Sequence, residues 1–262
     1  MIWRTEFRDD NPAEAGAADR NPANDDHRDY LDDQRATALL HGGGIARIDR
    51  ASATTELVLA AEPSAEALLH PHLAITALVA GAWLGRRTFH AGSFVHSGCV
   101  WAVLGDRERG KSSTLAWLAA HDIPVFADDL LVLDGDTALA GPRILDLRES
   151  AAEHFGLGRD LGVVGTRVRW RVDLPDIAAE LPFGGWVCLE WDESAVTVEQ
   201  IPAPERLKRL VAARGIERAE PSTAAWLPIL GKPMLLLKRP QRWDALDAAM
   251  HQLLQQVAAA TH

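Results

Sequence analysis

The run CVWAVLGDRERGKSSTLAWLAAH, from Cys99 to His121, constrains this chain more than any other stretch. An apolar segment suited to a buried strand ends at Gly105, and Gly110-Lys111-Ser112 then opens a segment with Leu115, Leu118 and Ala119 at helical spacing. Strand, glycine-bounded loop and helix, in that order, are the context that the pattern G-x-x-x-x-G-K-[ST] needs. Gly105, Asp106, Arg107, Glu108, Arg109, Gly110, Lys111, Ser112 and Ser113 are therefore the residues expected to wrap a phosphate chain. Backbone N–H groups can curl around the anion, and the helix N-terminus adds partial positive charge. Lys111 is placed to neutralise β- and γ-phosphates, and the Ser112 hydroxyl to join a Mg²⁺ ion.

A second apolar run, IPVFADDLLVLDG, is interrupted by Asp128-Asp129. It reads either as a turn closed by two acids or as a strand whose carboxylates face the loop. Two unpaired carboxylates among apolar residues are costly without a cation nearby, which favours the second reading.

The whole stretch FHAGSFVHSGCVWAVLGDRERGKSSTLAWLAAHDIPVFADDLLVLD, Phe89 to Asp134, resembles the catalytic domain of the bacterial HPr serine kinases and their relatives. Their nucleotide-binding fold is similar to that of phosphoenolpyruvate carboxykinase. Three spaced features carry the resemblance: His90 fifteen positions before Gly105, the loop itself, and Asp128 twenty-three positions after Gly105. The resemblance implies an α/β fold with a mixed central sheet and a strand–loop–helix nucleotide site. It also implies Asp128 as the base that accepts a hydroxyl proton, Asp129 as a Mg²⁺ holder and His90 near the transferred phosphoryl group. One departure is visible: the family loop runs Gly-Asp-Ser-Gly, whereas Arg107 and Glu108 follow Asp106 here.

Leu145-Asp146-Leu147-Arg148 resembles the Leu-Glu-Ile-Arg segment of the same family, which implies Asp146 as a metal ligand and Arg148 as a phosphate contact. An exposed strand end closed by a salt bridge accounts for the same residues. In TRVRWRVDLPD, Arg167, Arg169 and Arg171 alternate with Val168, Trp170 and Val172 at the period of a strand. A guanidinium face of this kind either clamps phosphate, with Arg169 and Arg171 stabilising transition-state charge, or is a solvated sheet face. The preceding AAEHFGLGRDLGVVG reads as a short helix and a Gly-rich loop able to act as a lid.

Two domains are expected: a short N-terminal lobe over residues 1–87, with a partly flexible segment at 8–35, and a kinase-like core over 88–262. Residues 1–36 begin with MIWRTEF, a candidate edge strand, and continue rich in Asp, Asn, Pro and Ala. GIARIDR and TTELVLA read as two strands, and the HGGG at His41 to Gly44 as a turn, since no G-x-S-x-G elbow accompanies it to support an esterase. A helix capped by Ser64 follows, with a second helical stretch after Pro71; His70 and His72 flank that proline and share no helix face, so a metal pair is not expected. FGGWVCLEW and KPMLLLKRP read as strands, PAPERLKRLVAARG and RWDALDAAMHQLLQQVAAA as helices.

A hydrophobic content of 47% supports a full core, and a net charge of −10 argues against nucleic acid or an anionic membrane as partner. Cys99 and Cys188 lie in apolar runs and read as buried free thiols, which fits a cytoplasmic location. No uninterrupted apolar run reaches the length of a membrane span, and no leader sequence is recognisable. The leading expectation is an ATP- and Mg²⁺-dependent kinase acting on a hydroxyl, a serine of a peptide or protein, including a peptide natural-product precursor. Small-molecule kinase, nucleotide-binding regulator without turnover and nucleotide hydrolase are the competing expectations, with homo-oligomerisation left open.

Overall fold

The computed structural model describes residues 30–40, 42–106, 108–216 and 223–261. The edge strand expected at MIWRTEF and most of the flexible segment expected at 8–35 lie outside the described residues. The chain divides into two compact units: residues up to Gly85 together with Val163–Arg167, and Arg86–Gly162 together with Val168–His262. The fold is mixed α/β with several sheets.

In the first unit, β1 (Tyr30–Leu31), β2 (Arg35–Leu39), β3 (Ile45–Asp49) and β4 (Thr54–Val58) form an antiparallel meander. Between β1 and β2 the Asp32 carboxylate accepts the backbone N–H groups of Gln34 and Arg35, both at 2.7 Å. Gly42, Gly43 and Gly44 turn the chain between β2 and β3, all at positive φ. Helix α1 (Ala65–Ala67) is capped by the Ser64 hydroxyl, which accepts from Ala67 N–H at 3.2 Å. After a break at His70, α2 (Leu73–Trp83) packs on the meander around Leu40, Ala46 and Leu57. Ala65–Trp83 is long and apolar enough to cross a membrane by length and composition, but it is not one helix: His70 is extended, at φ −156° and ψ 126°.

The second unit is built on β5 (Arg87–Phe89), β6 (Gly92–His96), β7 (Cys99–Leu104), β8 (Val125–Ala127), β9 (Leu131–Asp134), β10 (Thr137–Leu139), β11 (Ile144–Leu147), β12 (Arg159–Val164), β13 (Arg167–Asp173), β14 (Glu180–Trp191), β15 (Thr197–Gln200) and β16 (Met234–Arg239). Long strand β14 serves two neighbourhoods. Its first residues pair antiparallel with β10, which continues to β9 and β5; its later residues run parallel to β7 on one side and β16 on the other. β6 and β8 extend the sheet beyond β7, and β15 closes it beyond β16.

Apolar strands buried on both faces mark the parallel centre. Trp101 and Val103 of β7, Val187 and Leu189 of β14, and Leu235 and Leu237 of β16 join one core with α3 (Lys111–Ala120), α4 (Glu149–Phe155) and α7 (Leu246–Ala260). Val100, Ala102 and Leu104, Trp186 and Cys188, and Met234 and Leu236 face the other core, with α5 (Ala203–Ala213) and α6 (Thr223–Leu230). The strict alternation follows from the two-residue period of a strand.

Two sequence readings need correction. The Gly-rich segment after α4 is not a loop: Arg159–Val164 is β12, paired to β13 in a three-stranded sheet with β11. On β13 the arginines are not a solvated face, for Arg169 and Arg171 are buried while Val168 is exposed.

Candidate functional site

The three parallel strands end together, and their C-terminal ends carry the loop 105–110 after β7, Trp191 at the end of β14 and Arg239 at the end of β16. Open α/β sheets bind ligands outside the carboxyl ends of such strands. Gly110, at φ +88°, turns the loop into α3, and Thr114 N–H donates to its carbonyl at 2.9 Å to start the helix. Arg109 N–H donates to the Asp106 carbonyl at 3.2 Å, tightening the bend. The Lys111 ammonium folds back over the loop and donates to the Gly105 carbonyl. Ser112 and Ser113 stand half-buried in the first turn of α3, and among the described residues neither hydroxyl has a hydrogen-bond partner. Arg107 lies outside the described residues.

Glu108 adopts φ +66°, in the left-handed region, and two groups hold it there. Trp191 Nε1–H donates to its carbonyl at 3.0 Å, and Arg148 Nη1 pairs with its carboxylate at 3.2 Å. Arg148 thus meets the loop through Glu108.

The acidic doublet sits in the break between β8 and β9, which leave for different neighbours, β6 and β5. Asp129 takes φ +59°, and its carbonyl accepts from Ala91 N–H at 3.2 Å and lies 3.1 Å from His90 Nδ1. His90 and Asp129 are therefore brought together, with His90 exposed on the surface. The Asp128 carboxylate Oδ2 accepts Asp146 N–H at 3.0 Å. Burial, first, and then the neighbouring Asp129 charge push the Asp128 carboxyl well above the usual carboxylate range; the hydrogen bond from Asp146 N–H and the Arg169 charge only partly offset this.

The Asp146 carboxylate is held by two arginines of β13. Arg169 Nη1 donates to its Oδ2 at 2.9 Å, Arg171 Nε to Oδ1 at 2.8 Å and Arg171 Nη2 to Oδ2 at 2.9 Å. Asp146 and Arg171 are register partners on β11 and β13, so the pair is a cross-strand one. All three groups are buried. Asp146, expected as a metal ligand, and Arg169 and Arg171, expected as a phosphate clamp, are thus joined in one buried ion cluster inside the sheet. Among the described residues no cluster of three His, Cys, Asp or Glu side chains has metal-binding geometry.

Sequence reasoning passed over Trp191 and Arg239. Arg239 is only 4% exposed, its guanidinium lies 4.5 Å from the Trp191 ring centroid, and burial lowers its pKa to about 10. A Cβ built on Gly110 would come 2.8 Å from Arg239 Nη2 and 2.9 Å from the Trp191 ring. The only available signal was a cation directly after an apolar run, in MLLLKRP, and its meaning depends on a strand order that the sequence does not spell out.

No known protein family matches this sequence, and no curated protein does. Among solved structures, the Hpr(Ser) kinase/phosphatase from Coxiella burnetii matches over 66% of this chain and 91% of that chain. Sequence identity is 10% and the TM-score 0.34. The relationship is weak and does not assign the chain to a family.

Proposed function

We propose that the chain is an ATP-dependent phosphotransferase that moves a γ-phosphoryl group to a hydroxyl, a serine of a peptide or protein being the favoured acceptor. The observation that carries the reading is the loop at the end of β7, with Lys111 folded onto Gly105 and the Ser112 hydroxyl without a partner among the described residues at the start of α3. Phosphoryl transfer asks a protein mainly for positioning and charge neutralisation, and such a loop offers both. Asp128 supplies the remaining group: once ionised, a carboxylate with a raised pKa is a stronger proton acceptor for a hydroxyl than an ordinary one.

The donor set also fits Mg²⁺, which takes oxygen ligands and keeps several waters beside one or two carboxylates and the substrate phosphates. Ser112 and Asp129 would hold it. The charges of Asp129 and Asp146 act on Asp128, with Arg169 as a partial counter-charge. The ion would neutralise phosphate charge. Lys111 and the loop amides bind and orient the phosphates, while Asp128 takes the acceptor's proton at a carboxylate oxygen.

The test is D128N, incubated with Mg·ATP and candidate peptides and followed by mass spectrometry for a phosphate-sized gain. Turnover is expected to fall by about 10²–10⁴-fold with ATP affinity kept within a few-fold, since a general base contributes about that much. Full activity in D128N would remove Asp128 from the mechanism, and a wild-type chain that binds ATP but modifies no hydroxyl would leave a nucleotide-binding regulator.

A further inference from the structure

Arg239 is a buried charged group with few polar contacts among the described residues. Among the described residues its contacts are a hydrogen bond from Nη1 to the Pro240 carbonyl at 3.3 Å and the face of Trp191. Among the described residues no carboxylate pairs with it. Elsewhere in the second unit the buried Arg169 and Arg171 do have a carboxylate partner, Asp146. An aromatic face stabilises a guanidinium without cancelling its charge. A buried cation left in that condition is costly unless an anion completes it.

The position of the guanidinium says which anion. Arg239 Nη2 stands beside Gly110, where the loop enters α3, close enough that even a methyl group on that residue would collide with it. The same Trp191 that carries Arg239 on its face donates its N–H to Glu108 in the loop. Loop, helix N-terminus, Lys111 and Arg239 thus converge from two strands, β7 and β16, on one spot.

We propose that Arg239 donates directly to a phosphate oxygen of the polyphosphate bound by the loop, as a second cation beside Lys111, with Trp191 holding it in place. The proposal rests on the reading of the 105–112 loop as a phosphate site. It makes Gly110 necessary twice over, once for its positive φ and once because Arg239 and Trp191 fill the space a side chain would take. Guanidinium suits the role because its planar fork can stack flat on indole and still donate to phosphate, a geometry that the compact ammonium lacks.

The experiment measures binding of Mg·AMP-PNP and of inorganic tripolyphosphate by calorimetry to wild type, R239M, R239K and K111M, with thermal melts of each. R239M is expected to bind both ligands about tenfold to a hundredfold more weakly, the range for a lost hydrogen bond between charged partners. R239K is expected to lose about threefold to tenfold, keeping the charge but not the fork. A loss confined to AMP-PNP, with tripolyphosphate unaffected, would overturn the proposal by placing Arg239 on the base. Unchanged binding in R239M, with K111M impaired, would also overturn it while the loop reading stands. If wild type binds neither ligand, the loop reading fails and takes the proposal with it. Should R239M not fold, R239K decides: wild-type affinity in that variant contradicts a direct phosphate contact.

Discussion

At the scale of single residues, the site is held by groups in unfavourable states. Asp128 is the clearest. Its folded pKa lies above its ordinary value of 3.8, so the folded chain keeps that proton to higher pH than the unfolded chain does. Stability is therefore lost as pH climbs from about 4 through the folded pKa, and the full penalty is present above it. In metal-free buffer D128N, whose amide oxygen can still accept Asp146 N–H, should melt a few degrees above wild type at pH 8, with the gap closing toward pH 4. A gap independent of pH would show that Asp128 is not destabilised by its charge. Gly110 is the second such residue. G110A forces a side chain into the left-handed region, at about 1–2 kcal/mol, and drives a methyl group against Arg239 and Trp191. The variant should unfold at lower denaturant and lose polyphosphate binding; a neutral substitution would mean that the Arg239–Trp191 pair does not press on the loop.

At the scale of elements, β11 and β13 are joined by a buried ion cluster as well as by apolar pairs. D146A removes the carboxylate that the buried Arg169 and Arg171 share, and breaking a buried ion cluster this way costs about 3–5 kcal/mol. Urea unfolding should register that loss, whereas a change under 1 kcal/mol would mean that water or relaxation replaces the carboxylate. The ion cluster also marks where sequence reading reached its limit. A period-two run of arginines signals a strand, and β13 is one, but the pattern cannot say which face is buried. That depends on Asp146 lying opposite Arg171, a register set by two strands some twenty-five residues apart. Likewise β12 was hidden because Gly158, Gly162 and Gly165 mimic a loop, although the hairpin with β13 uses their positive φ values.

At the scale of the whole molecule, local signals were legible and assembly was not. The apolar runs at β7, β14 and β16 and the helical spacing of α3, α5 and α7 are all readable from composition and period. So was the glycine-bounded loop between β7 and α3. The parallel adjacency of β7, β14 and β16 is a tertiary fact, and only that adjacency brings Trp191 and Arg239 to the loop. Helix α6 was missed for a local reason, since Pro228 inside it reads as a breaker. The central claim is that this junction of strand ends holds a nucleotide by its phosphates. Calorimetric titration of Mg·ATP into wild type and K111M tests it most directly. The account predicts one-to-one binding by wild type and at least about tenfold weaker binding by K111M, whose methionine keeps the length of the side chain but not its charge. Equal affinity in the two proteins, or no binding to wild type, would contradict it.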